Sequence, residues 1–328
     1  EVLDGLNALS ATPWVVNARV LEVIQAAWDA GGGLPYVPSR APVDDPPPPP
    51  ADAPASEHAA HRRAMAKARQ ARNDLTSLKA DLDITLRTAA DLADKTALFQ
   101  PTNLDFRGRA YPVAPTLNHL GSDLKRGMLM FAEAMPLGER GWFWMKVHLA
   151  NVFGFDKASN IERAAFADEN LDKIRASAAN PLGEGEYDRW WLEGENPWQT
   201  LATCFEIAAA VDSGSPADYS SRLPVAQDGS CNGLQHYAAL ALDAVGGGSV
   251  NLVPGPEPAD VYSDVLRVVL EVIDRDAATG VDIAQAVQGI VTRKVVKQTV
   301  MTSTYGVTFV GARAQIEKQL GVLPEETR

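Results

Sequence analysis

Cysteine is scarce in this chain, with two in 328 residues, Cys204 and Cys231, and no metal-ligand spacing joins them. That argues against a disulfide framework or a zinc site and fits a reducing compartment. No run of eighteen apolar residues occurs, so no segment reads as a bilayer-spanning helix. Positive charge is not in excess either: 30 Lys and Arg face 42 Asp and Glu, for a net charge of −12. This balance argues against a protein that coats nucleic acid indiscriminately, although a basic channel can lie inside an acidic shell. The chain opens EVLDGLNALS, without an initiator Met, a basic n-region or an Arg/Ser-rich presequence, so a targeting segment is expected outside these residues. What is plentiful is apolar content, 46%, in a chain longer than one ordinary core requires. Two domains or two large subdomains are expected.

Residues 1 to about 31 read as helical, clearest where Val16, Val20, Val23 and Ile24 fall on one face, and they close on GGG. SRAPVDDPPPPPADAPAS follows. Five consecutive prolines cannot join a helix or a sheet interior, so residues 35–56 are expected to be an extended or disordered insertion. Ser56 is the candidate N-cap of a long helix running to about Leu98, whose first half carries Arg62, Arg63, Lys67, Arg69 and Arg72. Two helical segments around a proline-rich excursion suggest a helical hairpin, its basic face either solvated or set against phosphates. Beyond LDFRGRAYPV come short apolar runs, turns and helices. Trp190, Trp191 and Trp198 are expected in the core. After VNLVPGPEPADVY the chain is helical again.

Two stretches carry candidate chemistry. In TRKVVKQTVMTSTYG, residues 292–306, Arg293, Lys297, Met301 and Tyr305 recur every four residues and so share one broad helical face. Paired cations followed by an aromatic with a polar tip suit a triphosphate at one end and a base or sugar at the other. Solvated helices also produce such a row. In LPVAQDGSCNGLQH, residues 223–227 read as a strand ending at Asp228, after which Gly229 to Asn232 turn the chain into a helix near Gly233. A carboxylate beside exposed backbone carbonyls is how proteins hold Mg²⁺ loosely enough to share it with phosphates; a turn aspartate capping the next helix is the plainer alternative.

Taken together, these stretches resemble motifs A and B of the single-subunit, phage-type DNA-directed RNA polymerases, most closely the mitochondrial branch. DFRGRAYP, HLGSDLKRG, DKA, ENPWQTLATCFE, LPVAQDGSCNGLQHYAAL, VNLVP and TRKVVKQTVMTSTYGVT occur in the family's order and at about its spacing, from Asn17 onward. The resemblance implies a mostly helical α+β fold, part of a right-handed polymerase: a helical thumb at 1–98, palm at 99–256 with motif A, and the start of the fingers at 257–328 with motif B. It implies metal ligation by Asp228 and the carbonyl of Gly229, phosphate binding by Lys157, Arg293 and Lys297, and selection of ribose by Tyr305. Arg109, with Asp105 and Gly108 shaping its loop, is implied to contact template and hybrid. His236 has no assigned role and is expected to be packed.

Related DNA polymerases place a bulky Glu five residues after the metal-binding Asp to block the 2′-hydroxyl. Here that place is Gly233, which leaves room for ribose. The expected activity is therefore template-dependent transfer of nucleotides from NTPs to an RNA 3′ end with Mg²⁺ in a two-metal site. The expected partners are template DNA, nascent RNA, NTPs and mitochondrial initiation factors, with no membrane. Its place is the mitochondrial matrix, a plastid being the alternative. The resemblance also implies a second catalytic aspartate in a stretch beyond these residues and a promoter-reading part before them, so that the 328 residues alone are not expected to polymerise. A non-catalytic nucleic-acid-binding piece or degenerate paralogue is the competing reading, and retention of Asp228, Lys157, Arg293, Lys297 and Tyr305 together disfavours it.

Overall fold

The computed structural model describes residues 1–227, 229–255 and 257–321. The chain is mostly helical and divides into two compact units, one of residues 1–156 and 161–226, the other of 157–160 and 227–328.

In the first unit, helix α1 (Val2–Ala11) leads into strand β1 (Pro13–Val16), and α2 (Ala18–Asp29) precedes the long α3 (Ala55–Leu92). Short strands follow: β2 (Leu98–Phe99), β3 (Thr102–Leu104) and β4 (Ala110–Pro112). Then come α4 (Asp123–Gly127), β5 (Leu129–Phe131), β6 (Met135–Pro136), α5 (Gly138–Phe153), α6 (Asn160–Glu169), α7 (Leu171–Ala179), α8 (Pro197–Asp212) and β7 (Ser220–Ser221). The sheets are small and antiparallel, in the orders β2-β1-β5, β3-β4 and β6-β7. The helical reading of residues 1–31 is corrected here. Val16 lies in a strand, because Pro13 breaks the helix and Trp14 pairs with Leu98 on one side and Phe131 on the other. The expected strand 223–227 is not formed either. After β7 the chain makes one more ladder-like bond, Phe131 N–H to the Arg222 carbonyl, and then departs.

Between α2 and α3 the chain first turns through Gly31–Gly33 and a Leu34–Val37 bridge, then runs through residues 42–50 without helix or strand. Val43, Pro46 and Pro49 are half-buried at every third position, the three-residue period of a polyproline helix laid on a surface. Arg72 pairs with Asp45 and Lys79 Nζ donates to the Arg40 carbonyl, which fasten this stretch along α3. Pro54, with its fixed φ, stands at the N-cap, so α3 starts at Ala55 rather than after Ser56.

Helix α8 is apolar around almost its whole circumference and is correspondingly buried, with α4, α5 and α7 packed about it. Trp190, Trp191 and Trp198 are core residues, as the sequence suggests. The indole N–H of Trp191 donates to the Pro181 carbonyl and that of Trp198 to the Pro35 carbonyl, so neither polar tip is left unpaired. The first turn of α8 is capped from a distance. Asp123, buried at the start of α4, accepts from Trp198 N (2.8 Å), Gln199 N (3.1 Å) and Gln199 Nε2 (3.0 Å). Burial pushes this carboxyl above its ordinary range, and the three bonds counter that only in part. The block containing Asp123 is thereby tied to the block containing Trp198, and Gly127 lets α4 approach closely enough, since a Cβ there would meet the Trp198 carbonyl at 2.9 Å.

His148, on α5, is 3% exposed and its Nδ1 has no hydrogen-bond partner. Burial, with the Arg126 charge adding to it, holds its pKa down from 6.5 to about 4. The imidazole is neutral in the fold and must stay so. Because the unfolded chain takes up the proton first, stability is full above about pH 6.5 and falls as pH drops toward 4, by about 3 kcal/mol in all. Denaturant unfolding of His148→Gln should lose this part of the pH dependence; a slope identical to the parent's between pH 6.5 and 4 would refute it.

Candidate functional site

The second unit comprises α9 (Asn232–Ala241), α10 (Ala244–Ser249), α11 (Val261–Ala278), α12 (Asp282–Val287), α13 (Arg293–Ser303) and α14 (Phe309–Leu320), together with Lys157–Asn160. Asp228 lies outside the described residues. The turn that follows it is described. Cys231 stands at φ +57 and its carbonyl accepts from Leu234 and Gln235, starting α9. A Cβ at Gly229 would meet Asn232 Oδ1 at 2.1 Å, so a side chain there would displace the Asn232 amide from the start of α9.

Helix α13 buries Val295 and Val296 and turns Arg293 and Lys297 together to another side. Both cations lie over one ring. The Arg293 guanidinium carbon is 5.3 Å and Lys297 Nζ 5.8 Å from the centre of the Tyr262 ring, which α11 supplies. A cation at this range is attracted by the negative face of the ring. Burial, and then the neighbouring Cys231 thiol, push the Tyr262 hydroxyl up to about 12, so Tyr262 borders the turn after Asp228. Tyr262 is where the two sequence motifs meet.

Asp260 fixes Arg293. As the N-cap of α11 it accepts from Tyr262 N (3.2 Å) and Ser263 Oγ (2.7 Å), while Arg293 Nε and an NH2 nitrogen bind its two oxygens at 2.5 and 3.0 Å. This is the fork-on-carboxylate arrangement that sets a guanidinium in one plane. Partial burial alone would raise the carboxyl, but the bonds from Arg293 and Ser263 outweigh it and hold its pKa at about 2. The sign follows: the pair contributes at neutral pH and is lost only as pH falls from about 4 through about 2.

The candidate residues divide between the units. Gly229, Gly233, Arg293, Lys297 and Tyr305 belong to the second, and so does Lys157, although the chain on either side of 157–160 belongs to the first. Arg109 and Asp105 belong to the first unit, on the tip between β3 and β4. There Asp105 Oδ1 accepts from the backbone N–H groups of Arg107 and Arg109, and Gly108 turns at φ +80. These bonds, that from Arg109 foremost, hold the Asp105 carboxyl below its ordinary range, and Phe106 at the tip is 96% exposed.

Three expectations change. Helix α13 ends at Ser303, so Tyr305 is not on the helical stripe; Gly306, at φ +75, ends the helix and leaves Tyr305 exposed just beyond it. Beside Gly233 stands Thr304, whose Oγ1 would be 2.5 Å from a Cβ at 233, so the room that Gly233 leaves is bounded by that side chain. His236 is exposed on α9, not packed. Sequence reasoning also missed Asp260, Tyr262 and Asn251. The available signal was PADVY, an acidic N-cap after a proline followed by an aromatic two residues on.

Comparison with known proteins bears on what this cluster serves. A family model described as DNA-dependent RNA polymerase matches residues 135–327. The chain is 49% identical over 324 residues to the mitochondrial DNA-directed RNA polymerase of Neurospora crassa, covering 98% of this chain and 22% of that protein. It is 47% identical over 328 residues to the mitochondrial enzyme of Homo sapiens, covering 98% and 26%. With the chloroplastic/mitochondrial DNA-directed RNA polymerase 2B of Nicotiana tabacum it shares 46% over 330 residues, covering 97% and 32%. The chain thus spans between about a fifth and a third of the length of these relatives. With more than half of its residues inside the matched model, the chain belongs to the DNA-dependent RNA polymerase family.

Proposed function

We propose that this chain carries the nucleotide-binding part of the active centre of a DNA-directed RNA polymerase that transcribes an organellar genome. The observation that carries the reading is the convergence on Tyr262 of Cys231, from the turn after Asp228, and of Arg293 and Lys297. In the reaction the 3′-oxygen of the RNA forms a bond to the α-phosphorus of an NTP while the bond from that phosphorus to the bridging oxygen breaks and pyrophosphate leaves. Such transfer depends on alignment and on neutralising charge, not on covalent chemistry by the protein. Arg293, Lys297 and Lys157 are the cations for the triphosphate, and Asp260, by taking the Nε edge of Arg293, sets the plane of its guanidinium.

Mg²⁺ suits the donors implied here, a carboxylate at Asp228 and the carbonyl of Gly229, both hard oxygens. Among the described residues, which do not include Asp228, no three His, Cys, Asp or Glu side chains gather into a metal-binding group. When bound, the metal would supply charge neutralisation at the triphosphate and activate the 3′-hydroxyl. Tyr305 and Gly233 are assigned to the sugar, with Thr304 setting how much room Gly233 leaves. Arg109, on its Asp105-built tip, is assigned to template and hybrid.

The partners that follow are template DNA, nascent RNA, NTPs and mitochondrial initiation factors; among the described residues no helix is long and apolar enough to cross a membrane. The names of the relatives support the mitochondrial matrix, with a plastid as the alternative. Thumb, palm and fingers are assigned to 1–98, 99–256 and 257–328.

Two variants test the assignment in a polymerase carrying this chain. Asp228→Asn should slow single-nucleotide addition by about a thousandfold or more while leaving template affinity unchanged, since it removes a metal ligand and nothing that touches template. Near-normal extension would remove Asp228 from the mechanism. Asp260→Asn keeps a competent cap on α11 but loosens the Arg293 fork, and should raise the KM for NTP by about 5- to 30-fold, the worth of about 1–2 kcal/mol. A KM unchanged across all four nucleotides would show that the pair is structural only.

A further inference from the structure

Asn251 lies on neither the cationic helix nor the acidic turn, yet its side chain reaches the neighbourhood of both. Its backbone stands at φ +61, a left-handed conformation in which Gly is unstrained and Asn is tolerated. The amide explains why Gly alone would not serve. Nδ2 donates to Ser230 Oγ at 2.8 Å and to the Ala259 carbonyl at 2.9 Å, while Oδ1 accepts from Ala259 N at 2.7 Å. Ser230 is two residues beyond Asp228, and Ala259 immediately precedes Asp260, the residue that orients Arg293. The loop is held from its other side too, where Gln235 Nε2 on α9 donates to the Val250 carbonyl at 2.8 Å.

These bonds need a left-handed-tolerant residue that both donates and accepts. Asp would accept only, and Gly would offer the backbone alone. We propose that Asn251 is a positioning residue for nucleotide addition, its one amide fixing the separation between the turn after Asp228 and the cap that aims Arg293; this rests on the reading of the site as a nucleotidyl-transfer centre. Triphosphate binding needs the cations, but the transfer step needs cations and acidic turn in register. Loosening the tie therefore falls on kcat more than on KM.

Asn251→Gly keeps the backbone conformation and removes every one of these side-chain bonds. In a polymerase carrying this chain it should lower kcat for single-nucleotide addition by about 10- to 100-fold, with the KM for NTP within about 3-fold of the parent. In the chain itself, amide hydrogen exchange should accelerate at residues 229–232 and at 259–262 together, and stay unchanged in α14. Unaltered exchange at either segment overturns the tie. Accelerated exchange with kcat intact, or a rise in KM alone, overturns the positioning role. Failure of the polymerase reading has a different signature, full extension by the Asp228→Asn enzyme, so the two cannot be confused.

Discussion

The carboxylate of Asp260 and the guanidinium of Arg293 hold the second unit's site together. Their residues are 33 apart in sequence, and each belongs to the first turn of a different helix. A cation at the start of α13 is disfavoured by the helix dipole, so Arg293 needs a counter-charge, and Asp260 sits at the start of α11, where the dipole favours an anion. The pair therefore satisfies two helix ends at once. It also brings Tyr262, two residues into α11, beneath both cations and against Cys231. A chain with net charge −12 can in this way gather two cations over one ring, because a local field follows the distribution of charge and not the sum.

The first unit shows a parallel economy. Asp123 caps α8 across a sequence separation of 75, and Gly127 permits the helices to close on Trp198. Two of the blocks by which the chain resembles its family are thus joined to each other by burial and capping. Similarity of sequence alone does not distinguish a residue that binds a nucleotide from one that holds the scaffold. The bonds do.

What could be read in advance follows the range of the interaction. Arg293 and Lys297 share a face because the period of a helix is local, and the tryptophans of the ENPWQ region are buried because apolar density is local too. Strand β1 was hidden, since Val16 and Val20 mimic a helical spacing and the partners of Trp14, Leu98 and Phe131, lie far along the chain. Tyr305 was placed on the helix because the pattern continues through it, and only the positive φ of Gly306 shows where the helix stops. Asn251 and Asp260 stand among prolines and glycines and read as turn formers; their partners are 21 and 33 residues away. Gly233 was legible as a residue needing closeness, but the neighbour that uses the space, Thr304, was not.

The proposed site places one nucleotide's phosphates and its metal between the turn after Asp228 and the start of α13. Paramagnetic broadening by Mn²⁺ bound with a non-hydrolysable NTP analogue tests it directly on the isotopically labelled chain. Amide signals of Gly229 to Asn232 and of Arg293 to Lys297 should broaden together at the same metal–nucleotide concentration, while those of α14 persist. Broadening of only one segment, or of neither while nucleotide is demonstrably bound, would contradict it.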